Sequence, residues 1–207
     1  MSLTILTIAP KTDIRLESLW LRSVDKFFPD ASISLVHPNN KLPKGSTQHG
    51  EGLNRALKQV RTSHTLILDL DCILISNDWY DDKLQSLAGI KTGTNNLHMC
   101  FLLAPTTLLN CYDFTPIGGG LSFPPDRDVG ARLPIINADL SIVNCKSGKC
   151  SLIPAGYQFQ EINYKGEVIA CHWGRGSNAT SKKSKTGVSL KDQRQFFFDF
   201  CEEKIGD

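Results

Sequence analysis

Three short, β-rich apolar runs alternate with two stretches of helical period over the first 70 residues, and this alternation leaves few folds open. Residues 3–8 form an apolar run closed by Ala9-Pro10. Leu16, Leu19, Trp20, Val24, Phe27 and Phe28 then recur at helical spacing before Pro29. Residues 33–36 read as a second strand, stopped by His37-Pro38-Asn39-Asn40. A turn-rich loop over 41–50 leads to Leu53, Ala56, Leu57 and Val60, one face of a second helix. Residues 64–68 are apolar along their length, as a strand buried on both faces would be. A β-α-β-α-β order implies a parallel sheet with right-handed crossovers. Sheets of that kind bind ligands beyond the carboxyl ends of their strands. The third strand ends at Asp69-Leu70-Asp71, so chemistry is expected there.

The chain has 207 residues with 41% hydrophobic content, enough for one compact domain with a real core. Basic and acidic residues nearly balance, 23 against 21, which gives no reason to expect nucleic-acid or membrane binding. No apolar stretch approaches the roughly 20 residues of a membrane span. The first eight residues are too short an apolar run for a secretory signal. The seven cysteines are therefore expected to be reduced thiols of a soluble, cytoplasmic protein. A zinc set of Cys145, Cys150, Cys171 and His172 is the other reading, although its spacing matches no compact knuckle.

Beyond the third strand, residues 79–87 read as a helix whose first turn Asp78, Asp81 and Asp82 cap and charge. Residues 97–104 read as a strand and 105–109 as a short helix. Residues 113–127 are rich in Gly and Pro, include Gly118-Gly119-Gly120, and lack periodicity over a length that suggests a functional loop. Residues 129–133 read as a helical turn or two, and 141–144, 151–153 and 168–171 as short strands. Residues 174–187 are Gly, Ser, Thr and Lys and read as a mobile segment; 190–205 close the chain as a helix. The expected organisation is a single domain over 1–207, with a nucleotide-binding-type half over 1–104, where the β-α alternation lies, and a second half over 105–207.

Asp69 and Asp71 are two apart, so along an extended chain they face the same side. Two carboxylates converging in a partly buried place repel, and desolvation adds to the cost. A divalent cation removes that cost, since Mg²⁺ or Mn²⁺ takes one or two carboxylates and fills its octahedron with water and phosphate oxygens.

With these residues in view, the chain resembles the GT-A glycosyltransferases, family 2 in particular. The likeness runs through Asn54-Arg55-Ala56-Leu57, then Thr65-Leu66-Ile67-Leu68-Asp69-Leu70-Asp71. It implies a GT-A fold: a Rossmann-like, mostly parallel central sheet flanked by helices, with a small irregular C-terminal part. It implies a nucleotide-diphosphate sugar donor and an acceptor hydroxyl on a glycan or small molecule. Asp69 and Asp71, with Leu70 between, would hold Mn²⁺ or Mg²⁺ on the donor diphosphate, and Asn54 would belong to the donor site. The segment from Pro125 to Leu133 (Pro-Asp-Arg-Asp-Val-Gly-Ala-Arg-Leu) is similar to the stretch that carries the family's catalytic base. By that match Asp126 is the base of an inverting displacement and Asp128 the fallback. Cys171-His172-Trp173-Gly174 is similar to a region that gives several GT-A enzymes a metal-reaching His. Thr7, Ala9 and Pro10 would hold the nucleoside at the sheet edge, with Asn39 on the base. His37-Pro38-Asn39-Asn40 departs from the usual Asp that reads uridine, and Pro125 departs from the usual Glu.

Residues 168–191 carry no acid, while Arg175, Lys182, Lys183, Lys185 and Lys191 are basic. Such a segment suits a lid over the diphosphate, with Arg175 on the donor, or simply a solvated loop. Two other readings use the same residues. Residues 66–74 resemble the first motif of haloacid-dehalogenase-type phosphatases, with Asp69 as nucleophile and Asp71 as acid/base. Against this, two β-α units precede the motif. A sugar nucleotidyltransferase would show a Gly-rich basic signature after the first strand, and Ala9-Pro10-Lys11-Thr12 is not one. A binding module that holds a nucleotide-sugar or glycan without turnover is the non-enzymatic reading.

Overall fold

The computed structural model describes residues 2–9, 13–42, 45–92, 96–117, 128–133, 137–144, 149–157, 159–174 and 189–206. In chain order the elements are β1 (Leu3–Ile8), α1 (Ile14–Phe27), β2 (Ser32–Val36), α2 (Ser46–Leu57), β3 (His64–Leu68), β4 (Cys72–Leu74), β5 (Ala88–Thr92), β6 (Asn96–Pro105), α3 (Thr106–Leu109), β7 (Asn137–Asn144), β8 (Gln160–Tyr164), β9 (Glu167–His172) and α4 (Leu190–Ile205). The chain is thus α/β. It divides into two compact units whose segments interleave. The first takes Met1–Lys11, Asp30–Asp69 and Asp81–Leu140; the second takes Thr12–Pro29, Leu70–Tyr80 and Ser141–Asp207.

In the first unit β1 lies between two parallel neighbours, with Ile5 opposite Ile33 of β2 and Leu66 of β3. All six β1 residues are buried, which accounts for an uninterrupted apolar run where a half-exposed strand would alternate. Leu6, Ile8, Leu53, Ala56, Leu57, Ile67, Leu102 and Phe114 belong to one core cluster. Burying each large side chain there stabilises the unit by roughly 1.5–3 kcal/mol. α2 comes close to its surroundings because it carries glycine at two contacts. A Cβ on Gly50 would stand 2.2 Å from the Phe114 carbonyl oxygen, and one on Gly52 would stand 3.0 Å from Ile8.

In the second unit Asp13 caps α1 by accepting the Leu16 amide at 3.1 Å, and its carboxylate also meets Arg194. α1 buries Leu16, Leu19, Trp20 and Val24, the spacing that marked it in the sequence. Ser189 caps α4 by accepting the Asp192 amide at 3.1 Å. Phe197 of α4 packs edge-on against Phe159, with ring centres 5.3 Å apart, and lies 5.5 Å from Trp173. β8 and β9 are joined by Lys165-Gly166, both with positive φ (50° and 92°), the backbone a tight two-residue hairpin demands.

Five expectations need correction. The turn-rich loop expected over 41–50 gives way to α2 from Ser46. The pairing is mixed rather than mostly parallel: β6 runs antiparallel to β3 and β5, and β9 antiparallel to β8 and β4. Only three residues separate β5 from β6 and two separate β8 from β9, too few for a parallel crossover. The helix expected over 79–87 is a run of turns. Tyr80 N bonds Asn77 O at 3.0 Å, and the Asp81 side chain takes the Lys83 amide at 2.8 Å, which ends any helix there. The strand expected over 151–153 is a bend gathered round the Glu161 carboxylate, which accepts the Ser151, Leu152 and Ile153 amides at 2.6–2.9 Å. Cys150 is disulfide-bonded, against the expectation of reduced thiols throughout, while Cys72, Cys100, Cys111, Cys171 and Cys201 are free.

Candidate active site at the end of the third strand

In the first unit Asp69 stands one residue past β3. Its amide donates to the Cys100 carbonyl at 3.0 Å, so the β3–β6 ladder continues to it. The side chain is a quarter exposed, and His49 of α2 brings Nε2 to 3.4 Å from Oδ1. Here the β3 backbone supplies the position and α2 supplies the facing imidazole.

In the second unit Asp71 immediately precedes β4. Its carbonyl accepts the Trp173 amide at 2.8 Å, and the ladder behind it sets Cys72 opposite His172. Both residues are buried, with exposures of 6% for Asp71 and 4% for His172. His172 Nε2 lies 3.4 Å from Asp71 Oδ1, and its Nδ1 lies 2.9 Å from Gln160 Oε1. The amide oxygen can only accept, so Nδ1 donates to Gln160 while Nε2 faces the Asp71 carboxylate.

This donor pair fits a divalent cation. An octahedral ion with ligands near 2.1 Å sets neighbouring ligand atoms about 3 Å apart. The Nε2–Oδ1 separation of 3.4 Å is close to that, and longer than an ordinary N–H···O bond. One carboxylate oxygen and one imidazole nitrogen are ligands that Mn²⁺ accepts readily.

The remaining expected residues fall in varied settings. Thr7 is 1% exposed, and its Oγ1 has no hydrogen-bond partner. Ala9 is buried; its amide donates to Val36 O at 2.9 Å, and its carbonyl accepts from His37 Nδ1 at 2.8 Å. Asn39 closes its own turn, taking the Lys41 amide on Oδ1 at 3.0 Å and Gln48 Nε2 on its carbonyl at 3.0 Å. Leu70 is buried at 4% exposure. Asn54 pins a neighbouring segment: Oδ1 accepts the Phe114 amide at 2.9 Å and Nδ2 donates to Asp113 at 2.8 Å. Asp128 takes the next amide, Val129 N, at 2.7 Å and shapes a turn. Pro10, Asp126 and Arg175, with the 118–127 loop and most of the 174–187 segment, lie outside the described residues.

Three residues near these positions were not singled out for a site role by the sequence: His49, Gln160 and Asp113. Asp113 binds Arg132 at 2.8 Å and Thr115 N at 2.9 Å. The Thr115 amide and hydroxyl, then Asn54 and Arg132, hold its carboxyl below the usual carboxylate range. The zinc reading loses a ligand, because the disulfide at Cys150 leaves no thiolate there. Cys171 lies against Cys201, whose thiol burial pushes well up, with the Cys171 contact adding to the effect.

No protein-family model matches the chain, and no curated protein matches it. Solved structures do resemble it. The apo-form glycosyltransferase GlyE of Streptococcus pneumoniae TIGR4 is 14% identical over 52% of this chain and 35% of that one, with a TM-score of 0.40. The catalytic domain of Drosophila β1,4-galactosyltransferase 7, in complex with xylobiose, is 11% identical over 51% and 49%, with a TM-score of 0.40. Mannosyltransferase PcManGT from Pyrobaculum calidifontis, in complex with GDP-Man and Mn²⁺, is 15% identical over 61% and 49%, with a TM-score of 0.41. The matches thus span between 35% and 49% of the length of these structures. Among the described residues no helix is long and apolar enough to cross a membrane.

Proposed function

We propose that the chain is a metal-dependent glycosyltransferase that moves a sugar from a nucleotide-diphosphate donor to an acceptor hydroxyl. The observation that carries the reading is the buried pair in which His172 Nε2 lies 3.4 Å from Asp71 Oδ1, where the chain passes from the third strand into β4. A carboxylate and an imidazole held close together away from water are a donor pair that a divalent cation accepts. Asp69, two residues upstream in the chain at the end of β3, is a further ligand in this reading. When bound, Mn²⁺ or Mg²⁺ supplies positive charge against the diphosphate that leaves.

The rest of the proposal assigns work to the chain's own residues. Thr7, with a buried hydroxyl that has no hydrogen-bond partner, and the Ala9-Pro10 and Asn39 backbone side the nucleoside. Arg175 adds charge at the diphosphate. Asp126 accepts the proton of the attacking hydroxyl, with Asp128 in reserve, and displacement from the opposite face inverts the anomeric centre. A cytoplasmic location belongs to the proposal in the same way.

The test is donor turnover. Wild-type chain is incubated with a panel of nucleotide sugars, with and without Mn²⁺, and release of nucleoside diphosphate is measured beside wild-type chain with a generic phosphomonoester. Metal-dependent cleavage of a nucleotide sugar that Asp71→Asn abolishes is the expected result. Release of phosphate from the monoester would replace this reading with the phosphatase one. Donor binding that survives Asp71→Asn without any turnover would replace it with a binding module.

A further inference from the structure

Both amide hydrogens of Asn54 go to one neighbouring segment of the first unit. Nδ2 donates to Asp113 Oδ1 at 2.8 Å and to Thr115 Oγ1 at 3.3 Å, while Oδ1 accepts the Phe114 amide at 2.9 Å. An asparagine has no third side-chain N–H, so none is left for a donor phosphate. α2 also meets that segment closely, since a Cβ on Gly50 would stand 2.2 Å from the Phe114 carbonyl oxygen and 3.2 Å from Pro116 Cδ. Asp113 then reaches on to a third stretch of the same unit. Its Oδ1 also accepts the Thr115 amide at 2.9 Å, and its Oδ2 accepts Arg132 Nη1 at 2.8 Å. Arg132 belongs to a turn that opens at Asp128, whose carbonyl takes the Ala131 amide at 2.9 Å. Val129 and Leu133 of this turn are buried in the same core cluster as Leu53 and Phe114. Apolar burial has no direction, so it holds the turn to the core without fixing its rotation. The charged hydrogen bond from Arg132 to Asp113 does have a direction, and it supplies that constraint.

We infer that Asp113 is a positioning residue for the acceptor side: held by Asn54, it acts through Arg132 to set where Asp128 stands. The inference rests on the transferase reading above, in which Asp128 is the acceptor-side carboxylate among the described residues. It gives Asn54 work on the acceptor side, in place of the donor contact that the resemblance implies. A misplacement of about 1 Å can cost roughly 100-fold in rate. The pair itself is exposed, 44% for the Arg132 side chain and 47% for Asp113, and such a pair adds little to stability. A positioning role therefore shows as a loss of rate out of proportion to any loss of fold.

The experiment compares wild-type chain with Asp113→Asn, Arg132→Met and Arg132→Lys. Asp113→Asn keeps an oxygen for Asn54 and Thr115 but turns an NH₂ towards Arg132. Arg132→Met removes the donor, and Arg132→Lys keeps a charged one. Thermal unfolding confirms that each variant is folded. The kcat and KM for cleavage of nucleotide sugars with Mn²⁺ are measured with water in the acceptor's place, beside hydrogen exchange of a 128–133 peptide and a β1 peptide. Asp113→Asn and Arg132→Met are expected to lower kcat about 10–100-fold while donor KM stays within about two-fold. Exchange quickens at 128–133 and not at β1. Arg132→Lys recovers most of the rate and the protection. Unchanged kcat in Asp113→Asn and Arg132→Met would overturn the inference and leave the pair a surface contact. A raised donor KM at constant kcat would overturn it by putting the network on the donor side. A loss in Arg132→Lys as deep as in Arg132→Met would overturn it as well. A wild-type chain that cleaves no nucleotide sugar would overturn the transferase reading itself, and this role with it.

Discussion

Glu161→Gln removes one charge and almost no volume, so its cost isolates what the buried carboxylate does. Glu161 is 1% exposed. Oε1 accepts the Leu152 amide at 2.6 Å and the Ile153 amide at 2.9 Å; Oε2 accepts the Ser151 amide at 2.9 Å and its hydroxyl at 3.1 Å. The glutamine oxygen can keep the first pair. Its NH₂ then faces the Ser151 amide, donor against donor, while the hydroxyl can turn round and accept. One stranded amide costs about 1–3 kcal/mol, and the surviving bonds lose their charge assistance. A total near 3 kcal/mol is expected. For a chain of this size each kcal/mol lowers Tm by roughly 2–4 °C, so the loss is about 6–12 °C. Urea unfolding followed by tryptophan fluorescence, with Trp173 buried in the same unit, reads the change as a lower midpoint at constant slope. A loss under about 1 kcal/mol would refute the reasoning, since it would mean that the 151–153 bend holds itself.

Other expectations follow from single contacts. Gly50→Ala puts a Cβ 2.2 Å from the Phe114 carbonyl oxygen, and backbone cannot swing aside as a side chain would. A loss of about 1–3 kcal/mol in thermal or urea unfolding is expected, against near-neutrality if α2 can move. The Asp113 carboxyl is lowered in the folded chain, so its contribution to stability is present above the unfolded value of 3.8 and is lost as pH falls through the folded one. Unfolding free energy measured from pH 6 downwards is expected to fall less steeply below pH 3.8 in Asp113→Asn than in wild type; identical acid limbs would contradict this.

The first three strands and α1, α2 and α4 are legible in sequence because burial there is local and periodic. β1 is apolar throughout, and α1 repeats its buried residues every three or four positions. β4, β5 and β8 escape that reading: Gln160, Asn163 and Tyr164 break the apolar pattern of β8, and β4 has three residues. Residues 79–87 mislead because Tyr80, Leu84 and Leu87 imitate helical spacing, while the Asp81 side chain commits the backbone to a turn. At the candidate site, Asp69 and Asp71 stand out in the sequence by their place at a strand end, and His172 by the resemblance that Cys171-His172-Trp173-Gly174 carries. Gln160 is not visible, for a geometric reason. Counting back from the Lys165-Gly166 turn pairs it with Cys171, and only the register shift between Ile162 and Asn163 moves it opposite His172. His49 is hidden in the same way, since it meets Asp69 through the packing of α2 and not through any spacing in the chain.

Electron paramagnetic resonance of Mn²⁺ tests the cation directly, because the ion loses its sharp free signal when a protein holds it. Wild-type chain titrated into Mn²⁺ with UDP or GDP present is expected to remove one ion's signal per chain, and Asp71→Asn and His172→Ala to leave it largely intact. An undiminished signal with wild type, or the same depletion by both variants, would show that this acid and this imidazole hold no metal.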